Sequence, residues 1–393
     1  MTHDMLRIKL HSLVIFRDLL KNPVLEKLDI LLKAPTDDIF ALSSAYGAFA
    51  AELFRHTTNW SQFLLDAVLE DENIYVQSLC RTHLTDPAME ECLSKELSFL
   101  QQLSLLSPEM IELSDRPALW YTQSIDFEKT YRQRLQELPK RGYGIFARYH
   151  VFTVHNGELV PVRHPDPQSL DELSGYEEER GKVIANTQAL LAGKPASNVL
   201  LYGDAGTGKS STVKAIANAF ASDGLRLIEV KKAQLYQIPD IVERLSYNPL
   251  KFILFIDDLS FSSNDNDFSA LKAILEGSVS SRGKNLAIYA TSNRRHLIKE
   301  SFADRDGDEI HLADTMQELL SLSARFGLTV TFSRPDKTLY AHIVENLAVL
   351  YDIELPLDVL MTKAEAFALR AGGRSPRTAK QFIEQLKAQA ADQ

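Results

Sequence analysis

The stretch GDAGTGKS, residues 203–210, fits the pattern GxxxxGK[ST], and no other feature of the chain restricts its fold as much. A loop of this kind follows a strand and opens a helix, so that backbone N–H groups converge on an anion at the helix N-terminus. Both flanks are present: NVLLYG (198–203) is a short apolar run, and residues 208–222 have helical spacing. Gly203, Gly206 and Gly208 let the backbone bend around phosphate oxygens, with Asp204, Ala205 and Thr207 completing the loop. Lys209 is spaced to reach the β- and γ-phosphates, Ser210 to offer a hydroxyl to Mg²⁺, and Ser211 continues the helix. By chance the pattern arises about once in a hundred chains of this length, and the strand–helix context makes it rarer still. The cofactors implied are ATP and Mg²⁺.

Four more apolar runs follow at helix-sized intervals: LRLIEV (225–230), FILFID (252–257), LAIYAT (286–291) and LTVTF (328–332). Continuous rather than alternating apolar strands are those covered by helices on both faces, as in a parallel sheet. The spacing predicts a five-stranded parallel α/β core over 170–333, with helices near 208–222, 239–247, 267–281 and 314–324. Three helical segments then form a C-terminal lid over 334–393. Residues 1–140 read as a mostly helical domain, rich in Leu and punctuated at Asn22-Pro23, Ala34-Pro35, Asp86-Pro87 and Ser107-Pro108. Between them, 141–169 carries a hairpin signal about Asn156-Gly157 and a linker, HPDPQ.

In FILFIDDLSF (252–261) two acids end an apolar strand, at the edge where ligands of parallel sheets collect. Asp257 is the expected Mg²⁺ ligand opposite Ser210. Asp258 is the expected general base that polarises water, with capping of the next turn as the alternative. In LAIYATSNRRH (286–296), Asn293 is a strand-tip residue suited to orient that water. Thr291 is a weaker candidate for the same task, and a turn-forming Asn is the plain alternative. Arg294 and Arg295 fit a solvated turn or a neighbouring subunit equally well. Arg325, in LSLSARFGLTV (320–330), ends a helix before the last strand. Such a guanidinium either compensates the helix dipole or faces a phosphate held by another subunit.

As an ordered set, YGDAGTGKSS, FILFIDDLSF, YATSNRRHL, SLSARFGL and GGRSPRTAKQF resemble an AAA+ ATPase. More narrowly, they are similar to a bacterial family of uncharacterised AAA+ ATPases with a helical N-terminal extension. The resemblance covers roughly 170–390. It implies that Arg325 is an arginine finger acting on the next subunit's nucleotide. It also implies that Arg377 is a second sensor, with Arg374 as competitor, and that Gly175 and Tyr176 contact adenine. The segment KKAQLYQIPD (231–240) departs from polypeptide-threading rings, because no glycine follows the aromatic Tyr236. No helix-turn-helix follows the lid.

Composition narrows the partners. With 43 basic and 53 acidic residues the net charge is −10, which disfavours unspecific nucleic-acid binding. The basic residues Lys129, Arg132, Arg134, Lys140, Arg141 and Arg148 read as a solvated face, a nucleic-acid contact being the minority alternative. Two cysteines without a CxxC pair fit a reducing cytoplasm, and none of the 10 histidines sits in a metal-binding motif. No apolar run is long enough to span a bilayer. The expectation is a Mg²⁺-dependent ATPase, a hydrolase assembling as a ring or helical homo-oligomer, with residues 1–140 recruiting an unidentified protein client. A nucleotide-gated scaffold with slow turnover and a DNA-associated loader are the alternatives; a P-loop kinase is disfavoured for want of an acceptor site.

Overall fold

The structure is a computed structural model and describes residues 2–82, 84–113, 118–259, 271, 274–275, 285–293 and 325–391. The chain divides into two compact units, Met1–Arg148 and Tyr149–Gln393.

The first unit is helical, and two of its helices begin at the punctuation Asn22-Pro23 and Asp86-Pro87. Asn22 and Asp86 cap helices Pro23–Lys33 and Pro87–Leu103, each accepting from the backbone N–H two residues on, with Pro at the first helical position. Asp38, Asn59 and Asp126 cap three further helices, each accepting from the backbone N–H three residues on. The core is aromatic as well as leucine-rich: the Phe49 ring lies 5.4 Å from Trp60 and 5.0 Å from Trp120, both edge-on. One buried charge organises the N-terminal turn. Glu96 accepts from the backbone N–H groups of Val14, Ile15 and Phe16, at 2.6, 3.2 and 3.1 Å. Of the basic residues expected on a solvated face, Arg132 pairs with Glu90, Arg141 with Glu137 and Arg148 with Glu70.

The second unit is built on a seven-stranded sheet of order β2-β1-β4-β5-β6-β3-β7. Its strands are β1 (Val151–His155), β2 (Glu158–Pro161), β3 (Val199–Gly203), β4 (Leu225–Glu229), β5 (Lys251–Ile256), β6 (Leu286–Ser292) and β7 (Leu328–Phe332). The five expected strands, β3 to β7, are mutually parallel and nearly wholly buried along β3 to β6. The count of five needs correction. The hairpin turns through Asn156 (φ 51°) and Gly157 (φ 79°), and β1 then pairs in parallel with β4. The sheet is therefore extended at one margin by the expected hairpin, which the sequence does not mark as part of the sheet. Strand β3 lies between β6 and β7, so the chain leaves its C-terminal end with a neighbour on each side; crevices form at such points.

Helices Lys337–Leu350, Leu357–Arg370 and Pro376–Ala391 form the lid, packed through Tyr340, Ile343, Val344, Ala364, Ala379 and Ile383. The expected helix 314–324 lies outside the described residues, as does most of 267–281. Among the described residues no helix is long and apolar enough to cross a membrane.

Candidate active site

The phosphate loop leaves β3 at Gly203, whose φ of 137° is open to few residues other than glycine. A Cβ there would stand 2.1 Å from the carbonyl oxygen of Phe332 at the end of β7. Gly206 and Gly208 also have positive φ, and Gly208 precedes helix Lys209–Ala219, whose N-terminus closes the loop. Lys209 folds back across the loop. Its Nζ donates to the carbonyls of Gly203 (2.8 Å) and Asp204 (2.7 Å) and to Asn293 Oδ1 (3.0 Å). Burial lowers the Lys209 pKa, opposed by the carboxylates of Asp204, Asp258 and Asp257.

Asp257 and Asp258 follow β5 directly. Ser210 Oγ donates to Asp257 Oδ1 at 2.6 Å, and Thr291 Oγ1 donates to the same oxygen at 2.5 Å. Asp258 adopts φ 52°, an uncommon conformation for a residue with a side chain. Its backbone N–H donates to Thr291 Oγ1 (2.9 Å), and its Oδ1 accepts from Asn293 Nδ2 (3.0 Å). A hydroxyl and a carboxylate within hydrogen-bond reach at a helix N-terminus are hard oxygen donors of the kind Mg²⁺ takes beside nucleotide phosphates, so the residues present fit that ion.

These groups line a cleft of about 470 Å³ between the sheet edge and the lid. From the lid come Ile343, Leu347, Arg377 and Lys380; from the segment before the core come Gln168, Glu172, Leu173, Ser174 and Arg180. The last lid helix is docked on the loop itself, since Arg377 N–H donates to the Gly206 carbonyl at 3.2 Å. Arg374, the competing arginine, is instead held by Glu365 at 3.0 and 3.1 Å.

Gly175 and Tyr176 are not on the cleft wall. Tyr176 is buried against Phe332, ring centroids 5.3 Å apart, and its hydroxyl donates to the Ser333 carbonyl at 2.5 Å. The wall is formed by the residues just before them, Leu173 and Ser174, while Gly175 (φ 74°) packs under the lid residue Ile343. Arg325 stands at the turn before β7 and is not among the residues that line the cleft. The turn is fixed by buried Phe326 and by Gly327, where a Cβ would come within 2.7 Å of Ser197 Oγ. Arg294 and Arg295 lie outside the described residues.

Two contacts had no signal in the sequence. Asp204 Oδ2 accepts from the Arg334 N–H at 2.8 Å, while the Arg334 guanidinium donates to the Gly372 carbonyl at 3.1 Å, joining loop and lid. The other is the bridge that the Thr291 hydroxyl makes between the two acids, a task different from the water-orienting one for which its strand-end position makes it a candidate. Both join residues distant in sequence.

Residues 146–390 match the family model described as "Protein of unknown function (DUF815)". The chain belongs to that family. The match takes in the sheet, the cleft and the lid. Over 116 residues the chain is 30% identical to the replication factor C large subunit of Sulfolobus acidocaldarius, covering 28% of this chain and 26% of that protein. It therefore spans about a quarter of the length of this relative. Among solved structures, a RuvB variant of Thermotoga maritima is 20% identical with a TM-score of 0.36, covering 56% of this chain and 63% of its own. The RuvB Holliday junction branch migration motor of the same organism is 17% identical with a TM-score of 0.32, covering 56% and 71%. The DUF815 member is an α/β protein with a helical N-terminal unit.

Proposed function

We propose that the chain binds ATP with Mg²⁺ in the cleft between sheet and lid and hydrolyses it, working as a subunit of a homo-oligomer. One observation carries this reading: Asn293 bridges Lys209 Nζ and Asp258 Oδ1, each at 3.0 Å. A single amide thus joins the cation suited to the terminal phosphates with the carboxylate suited to activate water. In this reading the loop N–H groups and Lys209 hold the phosphates, and Ser210 and Asp257 hold the ion. Bound Mg²⁺ would supply positive charge across the β- and γ-phosphates. Asp258 accepts the proton of the attacking water while Asn293 fixes the direction of that carboxylate. Arg377 adds charge from the lid, and Arg325 serves the site of the next subunit. The likeness to a replication factor C large subunit supports the nucleotide module alone, because most of both chains stays unmatched.

The helical unit Met1–Arg148 lies almost wholly outside the family match, and we assign it recruitment of a protein client. The test is a pair of variants. Lys209→Ala loses ATP binding; Asp258→Asn keeps it and releases phosphate at least a hundredfold more slowly, roughly the worth of a general base. Undiminished turnover by Asp258→Asn would overturn the assignment of the base. Wild-type protein that assembles on ATP without releasing phosphate would replace hydrolysis by the scaffold alternative.

A further inference from the structure

We infer that Thr291 is the positioning residue that sets both acids of the site through one hydroxyl, an inference that rests on the ATP-hydrolysis reading above. Two consecutive residues of a regular strand point to opposite faces of the sheet, so Asp257 and Asp258 cannot both face the phosphate loop from an undisturbed β5. The left-handed conformation at Asp258, φ 52°, breaks that alternation. A left-handed residue with a side chain needs its surroundings to hold it there.

Thr291 is placed to do so by sheet register. β5 and β6 run parallel with Ile256 beside Ala290, so the next pair brings Asp257 beside Thr291. Thr291 is only 2% exposed, and its hydroxyl proton and lone pair have separate uses. The proton goes to Asp257 Oδ1 at 2.5 Å; the lone pair takes the Asp258 N–H at 2.9 Å. The Thr291 carbonyl accepts the following N–H, that of Leu259, at 2.7 Å, which closes the turn. Asp257 Oδ1 is thereby aimed at Ser210, and Asp258 is turned toward Asn293. Asn293 meets only the far end of the Asp258 side chain, whereas Thr291 governs the backbone from which it projects. Thr291 itself touches no reacting atom in this account.

Valine matches threonine in shape but has neither donor nor acceptor; serine has both. The experiment compares wild type, Thr291→Val and Thr291→Ser, with thermal melting to verify folding of each. Hydrogen exchange at the Asp258 amide is read in protein free of nucleotide and metal. The Mg²⁺ concentration for half-maximal ATP turnover is read separately from the maximal rate. The expected result for Thr291→Val is faster exchange at Asp258 and a Mg²⁺ requirement raised roughly ten- to a hundredfold, the worth of a hydrogen bond to a charged group. Thr291→Ser restores both to within about threefold of wild type, because the same hydroxyl bonds form. Exchange and Mg²⁺ requirement unchanged in Thr291→Val would overturn the inference while leaving the ATPase reading intact. So would a Thr291→Ser protein as impaired as Thr291→Val, since the methyl group rather than the hydroxyl would then matter. Wild-type protein without ATP turnover would remove the ATPase reading instead, and exchange at Asp258 would still decide whether Thr291 holds the turn.

Discussion

Asp71 is set against the stability of its own helical unit, and Asp71→Asn should raise that stability above neutral pH. The residue follows helix Trp60–Glu70 as its C-cap, where a negative charge opposes the helix dipole. Its Oδ2 is buried without a hydrogen-bond partner among the described residues. Burial first, then the nearby carboxylates of Asp18, Glu72 and Glu96, push its pKa from 3.8 up to about 7, against a lowering hydrogen bond from Asn73. The folded carboxyl thus keeps a proton that the unfolded chain has released. Below about pH 4 both states are protonated and the group is neutral toward folding. As pH rises from about 4 to about 7 the unfolded state gains, and stability falls until the folded group also ionises. The full shift corresponds to about 4 kcal/mol, and the partial exposure of the residue reduces the expected loss to about 2 kcal/mol. Both tryptophans of the chain, Trp60 and Trp120, lie in this unit, so their fluorescence reports its unfolding in the intact protein. Urea unfolding at steps from pH 4 to pH 8 should show wild type losing stability relative to Asp71→Asn, with coincidence at the acid end. A difference between the two proteins that stays constant across pH, or that grows toward acid, would refute the reasoning.

Further outcomes concern the second unit. Gly203→Ala should abolish ATP binding by calorimetry and lower the melting temperature, because its Cβ would meet the Phe332 carbonyl at 2.1 Å and φ 137° strains any side chain; full binding would remove the steric argument. Arg377→Ala should lower turnover roughly tenfold or more, as expected of a charge acting on the transferring phosphate, whereas Arg374→Ala, whose partner is Glu365, should leave turnover near wild type. The reverse ranking in a phosphate-release assay would exchange their roles. Arg325→Ala should bind ATP yet hydrolyse it about a thousandfold more slowly, and mixing it with Lys209→Ala should recover part of the rate. Verified mixed assemblies without recovery would count against action between subunits.

The parts of the site that could be read in the sequence are those whose physics is local. The loop 203–210 needs glycines at fixed offsets and a lysine one residue on, so eight consecutive letters carry its geometry. The five parallel strands were legible for a related reason: burial on both faces leaves unbroken apolar runs. β1 and β2 were legible as a hairpin, through Asn156-Gly157, but not as part of the sheet, because joining β4 depends on which edge is left open. The family resemblance implies that Tyr176 contacts adenine, since the segment around it is the one that matches. Its side chain is buried against Phe332 instead, and Leu173 and Ser174 just before it form the wall. The strand-end position of Thr291 marks it as a candidate to orient water, but the contacts that Thr291 and Arg334 make were out of reach for a deeper reason. Each acts on a residue brought beside it by the sheet or the lid, and a threonine at a strand end has the same local sequence whether its hydroxyl meets solvent or two aspartates. Strand order converts such a residue into part of a site. β6 lies between β5 and β3, so its tip stands between the two acids and the phosphate loop, and any polar residue there is held against both.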